Sequence, residues 1–280
     1  ITGKSYAEIR IDYFKDLLEF AKRNPERFNA SDVDDIQKTI EKINKTMTIT
    51  IHRVTKEIGG TCIQLTSGSR SILIDAGLPL GDSGSFVDLG NIDFTDVLIS
   101  HPHKDHYGMI DALGQDKTLH VGQLGQKLID AGRIFMGDAP LQNRFRYYEN
   151  RIPFEVGPFT ITPYLMDHSS VDAFGFLIEA NGKRIYYSGD FRGHGMKEKA
   201  FKWFLNDPPK NVDFLLIEGT MMSRIGKDCD MEKELEQDIV DILKSSSGAC
   251  FMIGSGQHID RLCAAFRACK RACRIFVLDI

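Results

Sequence analysis

The sequence predicts a mixed α/β protein, with a strand-rich middle framed by helical ends, and three observations carry that prediction. Short apolar runs separated by glycine-containing turns fill most of residues 47–220. Apolar residues recur at helical spacing in residues 5–23 and 31–44, and a further helix is expected over 257–272. Three of the central runs end in loops bearing histidine or aspartate, the place where sheets of this kind usually carry their chemistry.

In the first helical pair Ile9, Tyr13, Leu17 and Phe20 form one stripe, and Val33, Ile36, Ile40 and Ile43 another. The polar stretch NPERFNAS separates them, and Ser31 or Asp32 is expected to cap the second helix. TITIHRV, TCIQLTS and RSILIDAG then read as strands, the last two joined in a hairpin through GSR. TDVLIS is a continuous apolar run of the kind found in buried strands, and it leads straight into His101. FTITPYLM leads into Asp167 and His168. AFGFLIEANGKRIYYSGD is a hairpin whose Asn181-Gly182 pair suits a turn with positive φ, and its second strand ends at Asp190. AFKWFL is an apolar helical stretch that places Trp203, by default, in the core. At the far end ACFMIGS, the helix over 257–272 and RIFVLDI make a β-α-β unit, which implies parallel pairing in a further α/β layer. Nothing covers that last strand, so a longer protein is expected: a helical extension over 1–46, a main domain over 47–220, and the beginning of a second domain over 221–280.

The 280 residues, 42% hydrophobic and 26% charged, suffice for one large domain or two ordinary ones and exclude whole-chain disorder. A formal charge of −4 gives no global basic signature for nucleic acid, although local patches remain available to phosphate. No apolar run reaches the ~18–20 residues of a bilayer span, and the N-terminus lacks the order of a signal peptide. A soluble, cytosolic protein with no membrane partner is expected; oligomeric state leaves no signal. Six cysteines without a CxxC pair exclude a disulfide scaffold, and Cys269 and Cys273 read as ordinary thiols.

Residues 99–106 read ISHPHKDH, so three of the chain's eight histidines fall within six positions. In an extended segment residues i and i+2 point the same way, and His101 and His103 can aim at one point across a stiff Pro102. A helix beginning after Lys104 would turn Asp105 and His106 toward a second point nearby. Neutral imidazole and carboxylate suit Zn, Mn or Fe, and two such ions roughly 3.5–4 Å apart are an arrangement used for hydrolysis. A lone histidine at a strand end is more often a hydrogen-bonded surface residue. Three in six positions, followed by aspartate, reverse that weighting; His168 and Asp190 taken alone do not.

HPHKDH matches the HxHxDH signature of the metallo-β-lactamase fold, and MDHS and SGDF fall in the order of that family's next ligand motifs. Residues 49–220 or so therefore resemble that family. The resemblance implies an αββα four-layer sandwich with two divalent metal ions, Zn first and Mn or Fe as alternatives, at one edge of the sheets. It implies His101, His103 and His168 around the first metal, Asp105 and His106 around the second, and Asp190 bridging both. A water between the metals becomes the nucleophile, which makes Asp105 and Asp190 catalytic as well. Asp75, in LIDAG, would support the site without ligating. DFLLIEGTMM and FMIGSGQHIDRL further resemble the β-CASP branch, including ribonuclease J-like proteins, where an inserted α/β cap follows an acidic strand end. Glu218 would be that acidic residue. In that branch the last metal-ligating histidine comes after the cap, so the second site is expected to be incomplete within these residues.

The branch implies phosphodiester hydrolysis, above all of RNA. RFRYYENR supplies Arg144, Arg146 and Arg151 among Phe145, Tyr147 and Tyr148, a mixture able to grip phosphate and stack bases. An amphipathic surface loop is the plainer reading. Arg261, Arg267, Lys270, Arg271 and Arg274 read as the solvated face of a helix. GSGQH could hold a phosphate through its amides, bringing Ser255, Gln257 and His258 to a substrate, although it lacks the GK[ST] ending of a P-loop. His194, four residues after Asp190, is a candidate proton donor; His52 and His120 lie in strands and are expected to be idle. Two other functions stay open. One is a small-molecule metallo-hydrolase acting on a thioester, lactone or β-lactam, which needs no cap. The other is a non-catalytic RNA-processing subunit, which would have lost ligands that this chain retains.

Overall fold

The computed structural model describes residues 6–53, 58–81, 86–221 and 231–278, with side chains from residue 13 onward. Two helices come first, α1 (Tyr6–Arg23) and α2 (Ala30–Lys45), where the periodicity puts them. The cap of α2 is Asn29, not Ser31 or Asp32. Its Oδ1 accepts the N–H groups of Ser31 at 2.8 Å and Asp32 at 3.1 Å, while the Asp32 carboxylate accepts the Asn29 N–H at 2.8 Å. Such a reciprocal box needs its first acceptor just ahead of the first helical residue, and only Asn29 stands there.

Strands β1 (Met47–Ile51), β2 (Ile63–Ser67), β3 (Arg70–Ile74), β4 (Asp96–Leu98), β5 (Thr118–Val121) and β6 (Arg144–Tyr147) form one sheet in that order. The first three pair antiparallel and the rest parallel. RFRYYENR is thus an edge strand at its start and not a loop, with Arg144 and Arg146 exposed. A second sheet holds β7 (Phe154–Val156), β8 (Phe159–Leu165), β9 (Phe174–Ala180), β10 (Lys183–Tyr187) and β11 (Phe214–Leu216), in the order β11-β10-β9-β8-β7. Only the β10–β11 pair in it is parallel. The β9–β10 turn carries Asn181 at φ 52 and Gly182 at φ 70, both positive as a two-residue hairpin of this twist requires.

The two sheets pack face to face. Ile63, Leu65, Ile72, Ile74 and Leu98 of the first meet Phe159, Ile161, Phe174, Phe176, Ile178 and Tyr187 of the second. β2 and β8 alternate between buried and half-buried residues, whereas β3 and β9 are buried almost throughout because both their faces are covered. On the outer face of the first sheet Leu73, Val97, Ile99, Leu119 and Val121 pack against Met109, Ile110 and Leu113, which follow the short helix α3 (Lys104–Tyr107). Helix α4 (Gln123–Phe135) follows β5, and α5 (Glu198–Asn206) covers the second sheet, with Phe204 stacked on Tyr186 at 5.4 Å. The layers run helix, sheet, sheet, helix, as the αββα expectation has them.

Two expectations fail. Trp203 is 60% exposed, because the contact of α5 with the sheet is one helix face wide and Phe204 fills it. The terminal β-α-β unit is a helical pair, α6 (Glu232–Ser245) and α7 (Ile259–Arg271), packed through Val240, Leu243 and Ala268. Its flanking apolar runs join no ladder among the described residues; Phe251 and Ile253 are 93% and 101% exposed. A strand needs a hydrogen-bonding neighbour as well as an apolar sequence, and neither run meets one. Among the described residues no helix is long and apolar enough to cross a membrane.

Burial separates two aromatic side chains cleanly. Phe176→Ala is expected to cost about 3–5 kcal/mol and Trp203→Ala about 1–2 kcal/mol, measured by urea unfolding. Equal losses would contradict the burial of Phe176 and the exposure of Trp203.

Candidate metal centre

The site is built where strands of both sheets end on one edge. Asp75 follows β3, Ser100 and His101 follow β4, His168 follows β8 and Asp190 follows β10. The Asp75 N–H donates to the Leu98 carbonyl at 2.8 Å, and the Phe174 N–H donates to the Ser100 carbonyl at 3.0 Å, the second bond joining the sheets. The His101–His103 segment is bent, not extended. The His103 N–H reaches the His101 carbonyl at 3.1 Å around Pro102, whose ring fixes φ in a range that permits this tight turn.

The bend still brings the rings together. His103 Nδ1 lies 3.1 Å from His101 Nε2 and 3.1 Å from His168 Nε2, and the three nitrogens lie within 4.8 Å of one another. Nitrogens bonded to a tetrahedral Zn at about 2.0–2.1 Å are separated by about 3.3 Å, so this donor set fits a divalent cation. A second group joins His101, His106 and Asp190, with His106 Nε2 at 3.4 Å from Asp190 Oδ1. One imidazole nitrogen ligates one ion, so with His101 in the first group only His106 and Asp190 of the second group would be free for another ion. Asp105 comes nearest to these through Oδ2, 3.6 Å from His106 Nε2.

The far nitrogens decide which ring atom is free. His106 Nδ1–H donates to Asp75 at 2.7 Å, so Nε2 is the ring atom turned toward Asp190. His103 Nε2–H donates to the Gln257 carbonyl at 3.1 Å and leaves Nδ1 bare. His101 Nδ1 meets Ser100 Oγ at 3.1 Å, and that hydroxyl donates to Asp75 at 2.8 Å. Asp75 is fully buried and also accepts the Ser100 N–H and the Tyr187 hydroxyl, each at 2.7 Å.

Burial pushes His101 and His103 below the ordinary imidazole range, with the neighbouring histidines adding to the effect at His101, and takes His168 down to about 3. All three are neutral and ready to ligate at pH 7. Burial opposes charge on His106 too, yet Asp75 and Asp190 outweigh it and hold this imidazole well above its usual range. Burial likewise favours a neutral Asp190, but His106 outweighs it and lowers the carboxyl to about 2.

Of the other expected residues, Glu218 accepts the Phe191 N–H at 3.3 Å and so touches the loop that carries Asp190. Gln257 meets the cluster through its backbone. His258 is the N-cap of α7, its Nδ1 accepting the Arg261 N–H at 3.0 Å and its Nε2 lying 3.3 Å from Glu232; it fills the helix end whose amides were the less favoured candidate for phosphate. Ser255 is exposed and accepts the Gln257 N–H. His194 is not brought into the cluster; its backbone carbonyl accepts the Glu232 N–H at 3.1 Å. Arg144 and Arg146 stand apart on β6.

Sequence reasoning missed the supports. Ser100 precedes HPHKDH directly and is the one a local motif could have offered. Tyr187, Asp172 and the charged set of Arg192, Glu232 and Asp260 act across long sequence separations that no spacing rule reaches.

The protonation pattern predicts unequal metal sites. One divalent ion should bind tightly to His101, His103 and His168 with little pH dependence between about pH 6 and 8. The second must displace the His106 proton, so its affinity should fall as pH drops, by up to about tenfold per unit below that group's pKa. Cobalt titrations across that range measure this, and two sites of equal affinity and equal pH response would refute it. Asp75→Asn sets an amide NH2 against donors it cannot accept and should cost about 3–5 kcal/mol in urea unfolding.

Comparison with known proteins agrees with the geometry. The family model described as a beta-lactamase superfamily domain matches residues 70–232, more than half of the chain. Ribonuclease J of Helicobacter pylori is 28% identical over 154 residues, 49% of this chain and 22% of that protein. A probable RNase of Methanocaldococcus jannaschii is 27% identical over 214 residues, 67% of this chain and 48% of that protein. Cleavage and polyadenylation specificity factor 73 of Drosophila melanogaster is 25% identical over 236 residues, 73% of this chain and 34% of that protein. The chain thus spans about a fifth to a half of these relatives' lengths. A protein of unknown function from Enterococcus faecalis shares the fold, with a TM-score of 0.68 at 19% identity, over 79% of this chain and 63% of that one. The chain belongs to the beta-lactamase superfamily, in its metallo-β-lactamase fold, and its similarity runs to the ribonuclease J-like branch.

Proposed function

We propose that this protein is a divalent-metal phosphodiesterase that cuts RNA by attack of water, and that α6 and α7 begin a cap of the β-CASP kind beside the sandwich. The observation that carries the reading is the convergence of three neutral histidine nitrogens beside the His106–Asp190 pair. The names of the relatives support the substrate: two are ribonucleases and the third a cleavage factor.

In this reading His101, His103 and His168 would hold the first metal, and His106, Asp105 and Asp190 would serve the second, with Asp190 also near enough to His168 to be shared. Zn, Mn or Fe bound there would supply a water of lowered pKa and positive charge for the oxyanion. The chain's own residues set the stage. Asp75 fixes the His106 ring by accepting the hydrogen bond of its Nδ1–H, so that Nε2 is turned toward Asp190, and the Gln257 carbonyl accepts the His103 Nε2–H, which turns Nδ1 toward the other histidines. Asp190, ionised across the neutral range, can orient a water by accepting its hydrogen bond. Arg144 and Arg146, exposed on β6, are the proposed contacts to flanking phosphates.

A second reading is hydrolysis of a small ester or amide with the same metals. One relative agrees with either reading: a protein of Natranaerobius thermophilus named as a metal-dependent hydrolase, with no substrate in its name, is 27% identical over 145 residues, 48% of this chain and 58% of that protein.

End-labelled single-stranded RNA incubated with the full-length protein tests the choice. Cleavage should require Zn or Mn, stop with chelator and resume on metal addition. His103→Ala should lower the rate by about a thousandfold or more, equivalent to about 4 kcal/mol of barrier. Undiminished cleavage by the alanine variant would refute the assignment, and intact RNA with hydrolysed thioester or lactone would favour the second reading.

A further inference from the structure

His168 is held differently from the other histidines of the cluster. His101, His103 and His106 rest their far nitrogens on Ser100, the Gln257 carbonyl and Asp75. Among the described residues His168 Nδ1 has no such partner, so its ring direction is inherited from the backbone of residues 167–173. That loop reaches across to the N-terminus of α4. Asp172 Oδ2 accepts the N–H groups of Leu124 at 2.7 Å and Gly125 at 3.0 Å. The helix's own N-cap residue is Gly122, which has no side chain to offer. A carboxylate in this place satisfies two orphan donors and sits at the positive end of the helix dipole.

The surroundings are shaped to this contact. Asp172 itself takes φ 45, a left-handed conformation that a non-glycine residue adopts at a cost. A Cβ at Gly122 would come to 2.6 Å from Asp172 Cγ, so a glycine there makes room for the carboxylate. A Cβ at Gly125 would lie 3.6 Å from Pro102 Cδ, which puts the same helix end against the His101–His103 turn. The other end of the loop is pinned separately, Asp167 accepting the N–H groups of Gly195 at 2.7 Å and Lys197 at 3.0 Å.

We propose that Asp172 is a positioning residue for the metal centre: it caps α4 from a distant loop and thereby sets His168 against the two histidines beside Pro102. The inference rests on the metal reading above and adds a residue that touches no metal. Its chemistry makes a distinction that a packing role does not. An asparagine keeps an oxygen that accepts both N–H groups, so Asp172→Asn should preserve the geometry, whereas Asp172→Ala frees the loop.

Cobalt titration of the full-length protein, read by its visible d–d absorption, tests this apart from any activity. Asp172→Ala should bind Co at least about tenfold more weakly, with an altered band, and Asp172→Asn should stay within about threefold of the parent. Gly122→Ala, whose φ of −65 accepts alanine, should weaken binding in the same way by crowding Asp172, and it decides the matter where Asp172→Ala does not fold. Asp88→Ala is the control: it removes the cap on residues 89–91, where the Asp88 carboxylate accepts the Gly90 N–H at 3.1 Å, and should leave Co affinity unchanged. Parental affinity and spectrum in Asp172→Ala or Gly122→Ala would overturn the proposal. So would an equal loss in Asp88→Ala at matched stability. A parent protein without a cobalt band would instead overturn the metal reading, and this inference with it.

Discussion

A single buried carboxylate organises the metal edge. Removing Asp75 from water costs several kcal/mol unless its oxygens are fully engaged, and here four donors meet them: the Ser100 N–H and hydroxyl, His106 Nδ1 and the Tyr187 hydroxyl, at 2.7 to 2.8 Å. Those donors come from the end of β4, from α3 and from β10, so one group locks a loop, a helix and the opposite sheet together. The backbone yields to make this possible. Asp75 sits at φ 59, and two residues later Gly77 lets α3 come close; a Cβ there would fall 1.7 Å from the Asp105 carbonyl oxygen and 2.9 Å from the His106 backbone nitrogen.

From that anchor the charge balance of the site follows. His106 shares a buried space with Asp75 and Asp190 and keeps a proton, while His101, His103 and His168 crowd against one another and lose theirs. The edge therefore has two halves, one offering bare nitrogens to a cation and one already balanced by a proton. An ion held on the first half would add positive charge beside the second and lower the cost of giving that proton up.

What the sequence made legible was local. HPHKDH announces itself within six residues, and Asn181-Gly182 marks its hairpin because two adjacent positive φ values admit few residue types. The strands were readable because burial on one or both faces writes its period into the chain. Non-local features were not. Tyr187 lies 112 positions from Asp75, and Asp172 lies 47 from Gly125, so neither pairing leaves a spacing to detect. Gln257 contributes a carbonyl, which any residue type carries. The apolar runs beside α7 have a strand's composition, but composition does not supply a ladder partner. Trp203 misled for a related reason: hydrophobicity marks what can be buried, and the width of the helix contact decides what is.

The pairing of α6 and α7 with the sandwich rests on charge more than on apolar contact. Arg192, two residues past Asp190, bridges Glu232 of α6 at 3.0 Å and Asp260 of α7 at 2.5 Å; Lys197 adds a bond to Asp260 at 3.1 Å and Arg261 one to Glu232 at 2.9 Å. Ion pairs with so little solvent return little net stability, because desolvation offsets most of the attraction, but they tolerate few alternative geometries. What this geometry delivers is specific. The Asp260 N–H donates to the Ser169 carbonyl at 3.1 Å, beside His168, and His258 caps the helix so that the Gln257 carbonyl meets His103. The lattice begins at the Asp190 loop and ends at the acceptor that selects the His103 tautomer. The two helices therefore act on the metal edge through a backbone oxygen, and the charges between them matter less for how firmly they are attached than for where that oxygen is held.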